Sequence, residues 1–381
     1  MRKIKVGIIG VGNCASSLVQ GRFYYADPEV RVPGLMTQNF AGYYPHDIQF
    51  VSAFDIDMRK VGKDLSKAIF EKPNCTTVFQ SDIPYTDCPV QMGYVLDGVA
   101  GHLSKYPEDH RFKARDNIYF SYDEAKKAIV QTLIDTDTEM LINYLPVGSE
   151  EAARFYAECC LEAKVALINA MPVFLSKIYG DAFKQAGIPI VGDDIKSQVG
   201  ATIVHRVLTR LLEDRGHKIK NMYQINVGGN MDFLNMLDRT RLESKKISKT
   251  RSVTSQMKDG IKDDDIYVGP SDYIPWLDDN KVCFIRIEAE QYGGVPMNLE
   301  LRLSVEDSPN SAGVITDAIR ATKVALDRGL AGPIIEASAY LFKSPVRQYN
   351  DTEGRAMLLQ LAEPPSLILE PSNGKQYERD L

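Results

Sequence analysis

Residues 5–17, KVGIIGVGNCASS, carry the first recognisable chemistry in the chain. Val6 to Ile9 is an apolar run that predicts a short buried strand, Gly10 and Gly12 a tight turn, and Asn13 to Ser17 the opening of a helix. A strand, a glycine turn and a helix N-terminus together form an anion pocket, because backbone N–H groups point outward there and the helix dipole favours negative charge. The spacing is G-x-G-x-x-A, with Ala15 in the third small position, as dinucleotide-binding folds allow. Gly10, Gly12, Asn13, Cys14 and Ala15 are thus candidates for cradling a pyrophosphate. The run Ile48 to Phe54 predicts a second strand ending at Asp55, where an acid bonds ribose hydroxyls and would repel a 2′-phosphate, favouring NAD over NADP. Asp55 lies 45 residues past Gly10 instead of the usual roughly 20. A Pro-, Gly- and Tyr-rich insertion from about Asp27 to Asp47 accounts for the excess. The competing use of Asp55 is to cap a helix predicted from Asp57 to Glu71.

A second concentration of chemistry lies at 239–262. That span holds eight Lys or Arg and only Glu243 and Asp259 as acids, a local charge of 8 − 2 = +6 in a chain whose net charge is −6. It reads either as a solvated loop or as a lid that orders on an anionic substrate. On a helix Lys245 and Lys249 would share one face, which costs stability unless an anion lies between them. Upstream, Gly228-Gly-Asn230-Met-Asp232 is a glycine turn with amide and carboxylate groups.

These groups need elements to hold them. Short apolar runs alternate with helical patterns through the first half. A short strand or edge piece is expected at Cys75 to Gln80, a helix at Ser121 to Asp135, and a strand from Met140. A helix at Ser149 to Ala163 and a strand at Val165 to Asn169 follow, then a helix at Lys177 to Gln185 and a strand from Pro189. Strands alternating with helices predict an α/β fold with a doubly wound, mostly parallel sheet. Asp55, Asn143, Asn169, Asp193 and Asp194 fall at the strands' carboxyl ends, where such folds bind ligands. After 195 the pattern changes: a long amphipathic helix at Gln198 to Glu213, then strands at Asn221 to Val227, Val282 to Ala289 and Met297 to Val305 for a smaller sheet. Helices at Ala312 to Arg328 and Pro333 to Phe342 are expected to return to the first domain, followed by a polar tail. The expected division is a Rossmann-type domain at 1–197 completed by 312–381, and a smaller α+β domain at 198–311 with the candidate lid at about 239–262. Residues 81–117 are irregular and suggest a surface segment or subunit contact.

At 381 residues, two domains are the natural expectation. A net charge of −6 and a pI near 5.6 argue against a general nucleic-acid binder. No apolar run reaches the roughly 18 residues that span a bilayer, and the N-terminus lacks a signal-peptide cleavage region. Six scattered cysteines without a C-x-x-C pair fit reduced thiols in a cytoplasm, and the five histidines show no zinc spacing.

Taken together, the motifs resemble those of myo-inositol-1-phosphate synthases of the short bacterial and archaeal form, from Val6 to about Arg347. They are GVGNCAS at 10–16, AFDID at 53–57, NYLPVGSE at 143–150, GDDIKSQ at 192–198 and GGNMD at 228–232. SKKISK at 244–249 is close to the family's S-K-E-I-S-K, and NKV at 280–282, EDSPNSAG at 306–313 and AYLFKSP at 339–345 complete the series. Cys14 and Ala15 stand where longer relatives have Asn and Gly, and Met231 interrupts a paired Asn. The resemblance implies conversion of D-glucose 6-phosphate to inositol phosphate: oxidation at C5 by bound NAD, aldol closure between C6 and C1, and return of the hydride. It implies catalytic roles for Lys245, Lys249, Lys281, Lys343, Asp194 and Asp307. It adds Asn143, Pro146, Asn169 and Asp194 to the cofactor residues, and Ser197, Gln198, Asn230, Asp232, Lys249 and Lys281 as substrate contacts. Ser197 and Gln198 lie at a predicted helix start, suited to phosphate. Lysines suit such work because burial or neighbouring cations lower their pKa. A homotetramer built through the second domain is implied as well, and the use of a monovalent or divalent cation stays open. The rival readings are a two-domain NAD-dependent sugar-phosphate dehydrogenase, which would release NADH, and a non-catalytic NAD sensor, which would not need four lysines.

Overall fold

The computed structural model describes residues 2–27, 29, 33–238, 241, 243–269 and 272–364, with the side chains of 243–246 outside that description. The chain begins with β1 (Ile4–Ile9), α1 (Asn13–Tyr24), β2 (Ile48–Asp55), the single turn α2 (Leu65–Ala68) and β3 (Val90–Met92). It continues through α3 (Tyr122–Asp135), β4 (Met140–Asn143), α4 (Glu150–Ala163), β5 (Ala166–Asn169), α5 (Leu175–Ala186) and β6 (Pro189–Gly192). Next come α6 (Ala201–Asp214), β7 (Lys218–Gly228), α7 (Met231–Asn235), α8 (Glu243–Thr254), β8 (Ile266–Val268), β9 (Asp272–Tyr273), β10 (Asn280–Glu290) and β11 (Pro296–Glu306). The last elements are α9 (Asp307–Asp327), β12 (Gly332–Pro333), α10 (Ile335–Leu341) and α11 (Asp351–Ala362).

The first sheet has the order β12-β6-β5-β4-β1-β2-β3, and every pairing in it is parallel. Order reverses between β1 and β4, so a crevice opens at their carboxyl ends. Both faces are covered, which is why these strands read as unbroken apolar runs. One face packs against α1 and α9, with α10 and α11 beside them. The other packs against α3, α4 and α5. The late helices α9, α10 and α11 thus pack on the first sheet's side of the molecule. Val314, Ile315 and Ile319 of α9 are each at most 2% exposed, and each such side chain contributes about 1.5–3 kcal/mol by leaving water. Arg320 of the same helix is fully buried and pairs with Asp317. It donates to the carbonyls of Thr37, Gln38 and Tyr43, tying the 33–44 insertion to the core.

The second sheet runs β11-β10-β7-β8, with β9 also on β7. Strand β10 pairs antiparallel with β7 and β11 over long registers, and α6 and α8 pack on one face.

Several expectations are corrected. In 57–71 a helix does not form beyond one turn, because the Asp57 carboxylate is taken by Arg59 and the Lys113 N–H, which fold the chain into turns. No strand forms at 75–80, and the edge strand is β3 instead. The 239–262 span, read as a solvated loop or a lid, carries the helix α8 with Ser248, Ser252 and Val253 fully buried, which rules out the solvated loop for that part. The tail contains α11, started by a capping box between Asn350 and Glu353. Among the described residues, no helix is long and apolar enough to cross a membrane.

Candidate active site

A cavity of about 220 Å³ lies at the carboxyl ends of the first sheet and extends to the second sheet. A single water needs roughly 10–15 Å³, so this space suits an organic ligand. Gly10, Gly12, Asn13, Cys14, Asp55, Pro146, Asp194, Ser197, Asn230, Asp232, Lys249, Lys281, Asp307 and Lys343 all line it.

At one end is the glycine turn. Gly10 has φ of 86°, and a Cβ there would meet the Tyr144 carbonyl oxygen at 2.7 Å, so both conformation and space require glycine. Gly12 differs: a Cβ there would meet nothing within 4 Å and would project into open space at the cavity wall. Helix α1 starts directly after it, with no side-chain cap and no acid in its first turn, so its first N–H groups are available to an anion. The turn is clamped at Val11. Its N–H donates to Asp55 Oδ2 at 2.7 Å, and its carbonyl accepts from Lys60 Nζ at 2.7 Å and Asn74 Nδ2 at 3.1 Å. The other Asp55 oxygen accepts from the Ile56 and Asp57 N–H groups. Asp55 therefore caps a turn rather than a helix, while still lining the cavity where a ribose would lie. Lys60 is fully buried, and burial pulls its pKa below the ordinary lysine value against the opposing pull of Asp55 and Asp57. These features fit a dinucleotide: an anion cradle, an open glycine position and an acid at the end of β2.

The other end gathers lysines and carboxylates from separate elements. Lys343 Nζ donates to Asp194 Oδ1 at 2.8 Å, and Ser248 Oγ of α8 donates to Asp194 Oδ2 at 2.6 Å. Ser344 Oγ reaches Ser248 at 2.7 Å. Lys281 on β10 bonds Asp307 Oδ1, at the start of α9, at 3.0 Å. Burial alone would lower the Lys281 pKa, but the Asp307 partner outweighs it and holds the ammonium above its usual value. Lys249 on α8 is 4% exposed and also lines the cavity. The Lys245 side chain lies outside the described residues; its backbone is in α8.

Other expected site residues are engaged by bonds or packing within the protein. Ala15 is fully buried in the first turn of α1, the third small residue that lets helix and strand approach. Asn143 donates to Asn169 at 2.9 Å, and Asn169 donates to Asp193 Oδ1 at 2.6 Å. This chain fastens the ends of β4, β5 and β6 together, outside the cavity lining. Burial raises the Asp193 pKa to about 7. The Asn13 side-chain oxygen accepts from the Cys75 and Thr76 N–H groups and its amide nitrogen donates to Cys75 Sγ at 3.5 Å, which ties the helix start to the 75–76 segment. Gln198 points elsewhere: it donates to the Gly34 carbonyl and lines a separate hollow between α1 and α9. The α6 helix starts at Ala201, past Ser197 and Gln198, so Gly200 to Ile203 supply its cavity-facing end. Asn230 caps α7, accepting from Asp232 and Phe233 N–H groups, and donates to Asp279 at 2.9 Å.

Asp279 was not foreseen. It is 1% exposed, accepts from Ser308 N and Oγ, and titrates near 6 because of burial and then Asp307. Its signal was its place two residues before Lys281. Within 81–117, expected to be a surface segment or subunit contact, Tyr94, Leu96 and Phe112 line the cavity, and His102 and His110 bond the Leu234 carbonyl in α7 and the Tyr273 hydroxyl in β9. Cys14 is no nucleophile, since burial raises its thiol to about 12. All six cysteines are free thiols.

The family model described as Myo-inositol-1-phosphate synthase matches residues 200–308, which include Ser248, Lys249, Lys281, Asp279 and Asp307. Inositol-3-phosphate synthase of Mycolicibacterium smegmatis is 52% identical over 364 residues, covering 93% of this chain and 97% of that one. The protein of the same name from Corynebacterium glutamicum is 51% identical over 364 residues, again 93% and 97%. Among solved structures, inositol-3-phosphate synthase of Caenorhabditis elegans superposes with a TM-score of 0.73 at 18% identity, covering 95% of this chain and 86% of that one. A myo-inositol-1-phosphate synthase-related protein from Thermotoga maritima gives 0.76 at 22% identity, covering 95% and 98%, and at these identities both show the shared fold. With half of its residues identical over nine-tenths of its length, and with the glycine turn and lysine–carboxylate pairs in one cavity, the chain belongs to the myo-inositol-1-phosphate synthase family.

Proposed function

We propose that the chain converts D-glucose 6-phosphate to 1L-myo-inositol 1-phosphate without net redox change. The observation that carries this reading is the meeting, in one cavity, of an anion-cradling glycine turn with the Lys343–Asp194 and Lys281–Asp307 pairs and Lys249. The backbone of Gly10 to Cys14 and the Asp55 carboxylate would hold NAD, which when bound supplies reversible oxidation at C5 and so acidifies C6. Lys245 takes the proton of the C5 hydroxyl and later returns it, and the Lys343 ammonium stabilises the negative charge on that oxygen. Asp194 holds the Lys343 ammonium in place for that role. Lys249 and Lys281 face the phosphate and the C1 oxygen, where negative charge grows as the C6–C1 bond forms, and fixed cations in a water-poor site stabilise it. Asp307 keeps Lys281 charged for that purpose. Asn230, Asp232 and Ser197 complete the polar wall.

The test is a measurement of inositol phosphate formed from glucose 6-phosphate, with and without added NAD⁺ and with and without a chelator or ammonium, which also decides whether a cation takes part. Accumulation of NADH without inositol phosphate would instead establish a sugar-phosphate dehydrogenase. Lys245→Ala should abolish turnover and leave NAD binding intact; near-normal turnover would remove Lys245 from the scheme. The same reading makes the enzyme a cytoplasmic homotetramer, which sedimentation of the purified protein measures.

A further inference from the structure

The inward face of β7 carries an anomaly. Residues 222, 224 and 226 alternate onto the buried side of the strand, where packing against α6 and α8 calls for apolar side chains. Met222 obeys, but Gln224 and Asn226 are amides and both are fully buried. Burying an amide without partners is costly, so their bonding needs an account. Both line the far end of the cavity from the glycine turn, on the side of Lys249 and Lys281.

Their hydrogen bonds form a directional relay. It is anchored at the Gly269 carbonyl, which can only accept, so the Asn226 amide nitrogen faces it and donates. The Asn226 oxygen then faces Gln224, whose Nε2 donates to it at 3.1 Å. The Gln224 oxygen is thereby turned toward His205 Nδ1 at 3.3 Å, which must carry the proton. His205 is fully buried on α6, with Met222 Sδ 3.1 Å from its Nε2. Burial lowers the imidazole to about 4, so it remains neutral and the relay keeps one polarity at neutral pH. The relay uses one of the two Gln224 N–H bonds. A second N–H and a second carbonyl lone pair remain as its capacity toward a ligand.

We propose that Gln224 is a substrate-binding residue that hydrogen-bonds a hydroxyl of the sugar chain, and that His205 is a positioning residue that fixes which amide atom Gln224 presents. This rests on the reading of the cavity as a sugar-phosphate site. It adds a discriminating element: a neutral amide floor that recognises hydroxyl-bearing carbons, beside cations that take the phosphate. A site built to bond a hydroxyl discriminates strongly against an analogue that lacks it, because its own polar group is then left unpaired.

The experiment measures binding of glucose 6-phosphate and of its 2-, 3- and 4-deoxy analogues to NAD-loaded protein by calorimetry, for wild type and Gln224→Leu. One deoxy analogue should bind wild type about tenfold or more weakly than glucose 6-phosphate, and that penalty should disappear in Gln224→Leu. NAD affinity should be the same in both proteins. For the positioning role, His205→Leu should raise KM severalfold with a smaller effect on kcat, and His205→Gln, which can still donate to Gln224, should recover most of it. Equal hydroxyl penalties in wild type and Gln224→Leu would overturn the proposal, as would His205→Leu kinetics matching wild type. A wild type that binds no hexose phosphate would refute the proposed reaction itself, which separates the two failures.

Discussion

Asp194→Asn isolates one link in the site. Asp194 has φ of 61°, a left-handed conformation that asparagine tolerates better than most residues, so the backbone should stay in place. What changes is the carboxylate. In the wild type its two oxygens separately accept Lys343 Nζ at 2.8 Å and Ser248 Oγ at 2.6 Å. An asparagine has one oxygen to offer, and its NH₂ faces the second donor head-on. The side chains of Lys343 and Asp194 are 14% and 5% exposed, so screening by water is limited. Two unit charges at this separation attract by about 6 kcal/mol at an effective dielectric constant of about 20. Much of that is offset by desolvation in the intact pair, but removing one partner leaves a buried ammonium, which costs about 3–5 kcal/mol. If Lys343 acts at the reacting oxygen, that loss falls on catalysis, and each 1.4 kcal/mol is about tenfold in rate. Turnover of glucose 6-phosphate should therefore fall by about 10²-fold or more, while NAD affinity, which the proposed function assigns chiefly to the glycine turn, stays within about twofold. The assay is inositol phosphate formation beside calorimetric NAD binding on the same preparation. Turnover within about threefold of wild type, in a variant that binds NAD normally, would show that the Lys343–Asp194 pair supports the fold and not the reaction.

Other parts of the structure make separate predictions. Gly12→Val should weaken NAD binding at least tenfold without lowering the melting temperature of the cofactor-free protein, because its side chain enters open cavity space; Gly10→Ala should lower that melting temperature through its positive φ and the Tyr144 contact. Arg320→Met should cost about 3–5 kcal/mol in urea unfolding by stranding Asp317, and adding Asp317→Leu should recover part of the loss. Asp279 titrates near 6 in the folded chain against 3.8 for an ordinary Asp, so its stabilising contribution is complete below about pH 4 and lost as pH rises through 6. The stability of wild type relative to Asp279→Asn should accordingly fall by up to about 3 kcal/mol between about pH 4 and pH 7, and a flat difference curve would refute the assignment.

The parallel sheet was legible because its strands are buried on both faces, which writes each as a short unbroken apolar run. The start of α3 was legible because Ser121 uses its hydroxyl on the Glu124 N–H, a contact that closes within four residues. What failed was non-local. The helix expected at 57–71 lost to Asp57, whose partner N–H at Lys113 is 56 residues away. The 94–112 segment has no period of its own, since its apolar residues Ala100 and Leu103 find their partner in Leu234 of the second half. In α8 the sequence shows mostly charge and hydroxyls, and only the tertiary structure reveals that Ser248 and Ser252 are the packing surface. Gln224 and Asn226 left a trace in the alternation of β7, but reading it requires knowing which face of that strand is inward.

The strand-end polar residues show why a correct location can still mislead about role. Asn143, Asn169, Asp193 and Asp194 all sit where an α/β sheet presents its carboxyl ends, and from sequence they are equivalent. In the fold Asn143 and Asn169 lie opposite each other on neighbouring parallel strands, Asn169 also lies opposite Gly192, and Asp193 follows that glycine directly. Side chains at such positions meet each other before they can meet a ligand, and they form a buried chain of amide and carboxylate bonds. Asp194 is one residue further on, past the last pairing of β6, where the positive φ turns the chain so that its carboxylate meets Lys343 and Ser248. A single step along the chain, from Asp193 to Asp194, thus separates a group that fastens the sheet from one that can act on a substrate. The mutational consequence differs in kind: Asn169→Leu should lower stability with the catalytic groups unchanged, whereas Asp194→Asn should lower turnover at nearly unchanged NAD affinity.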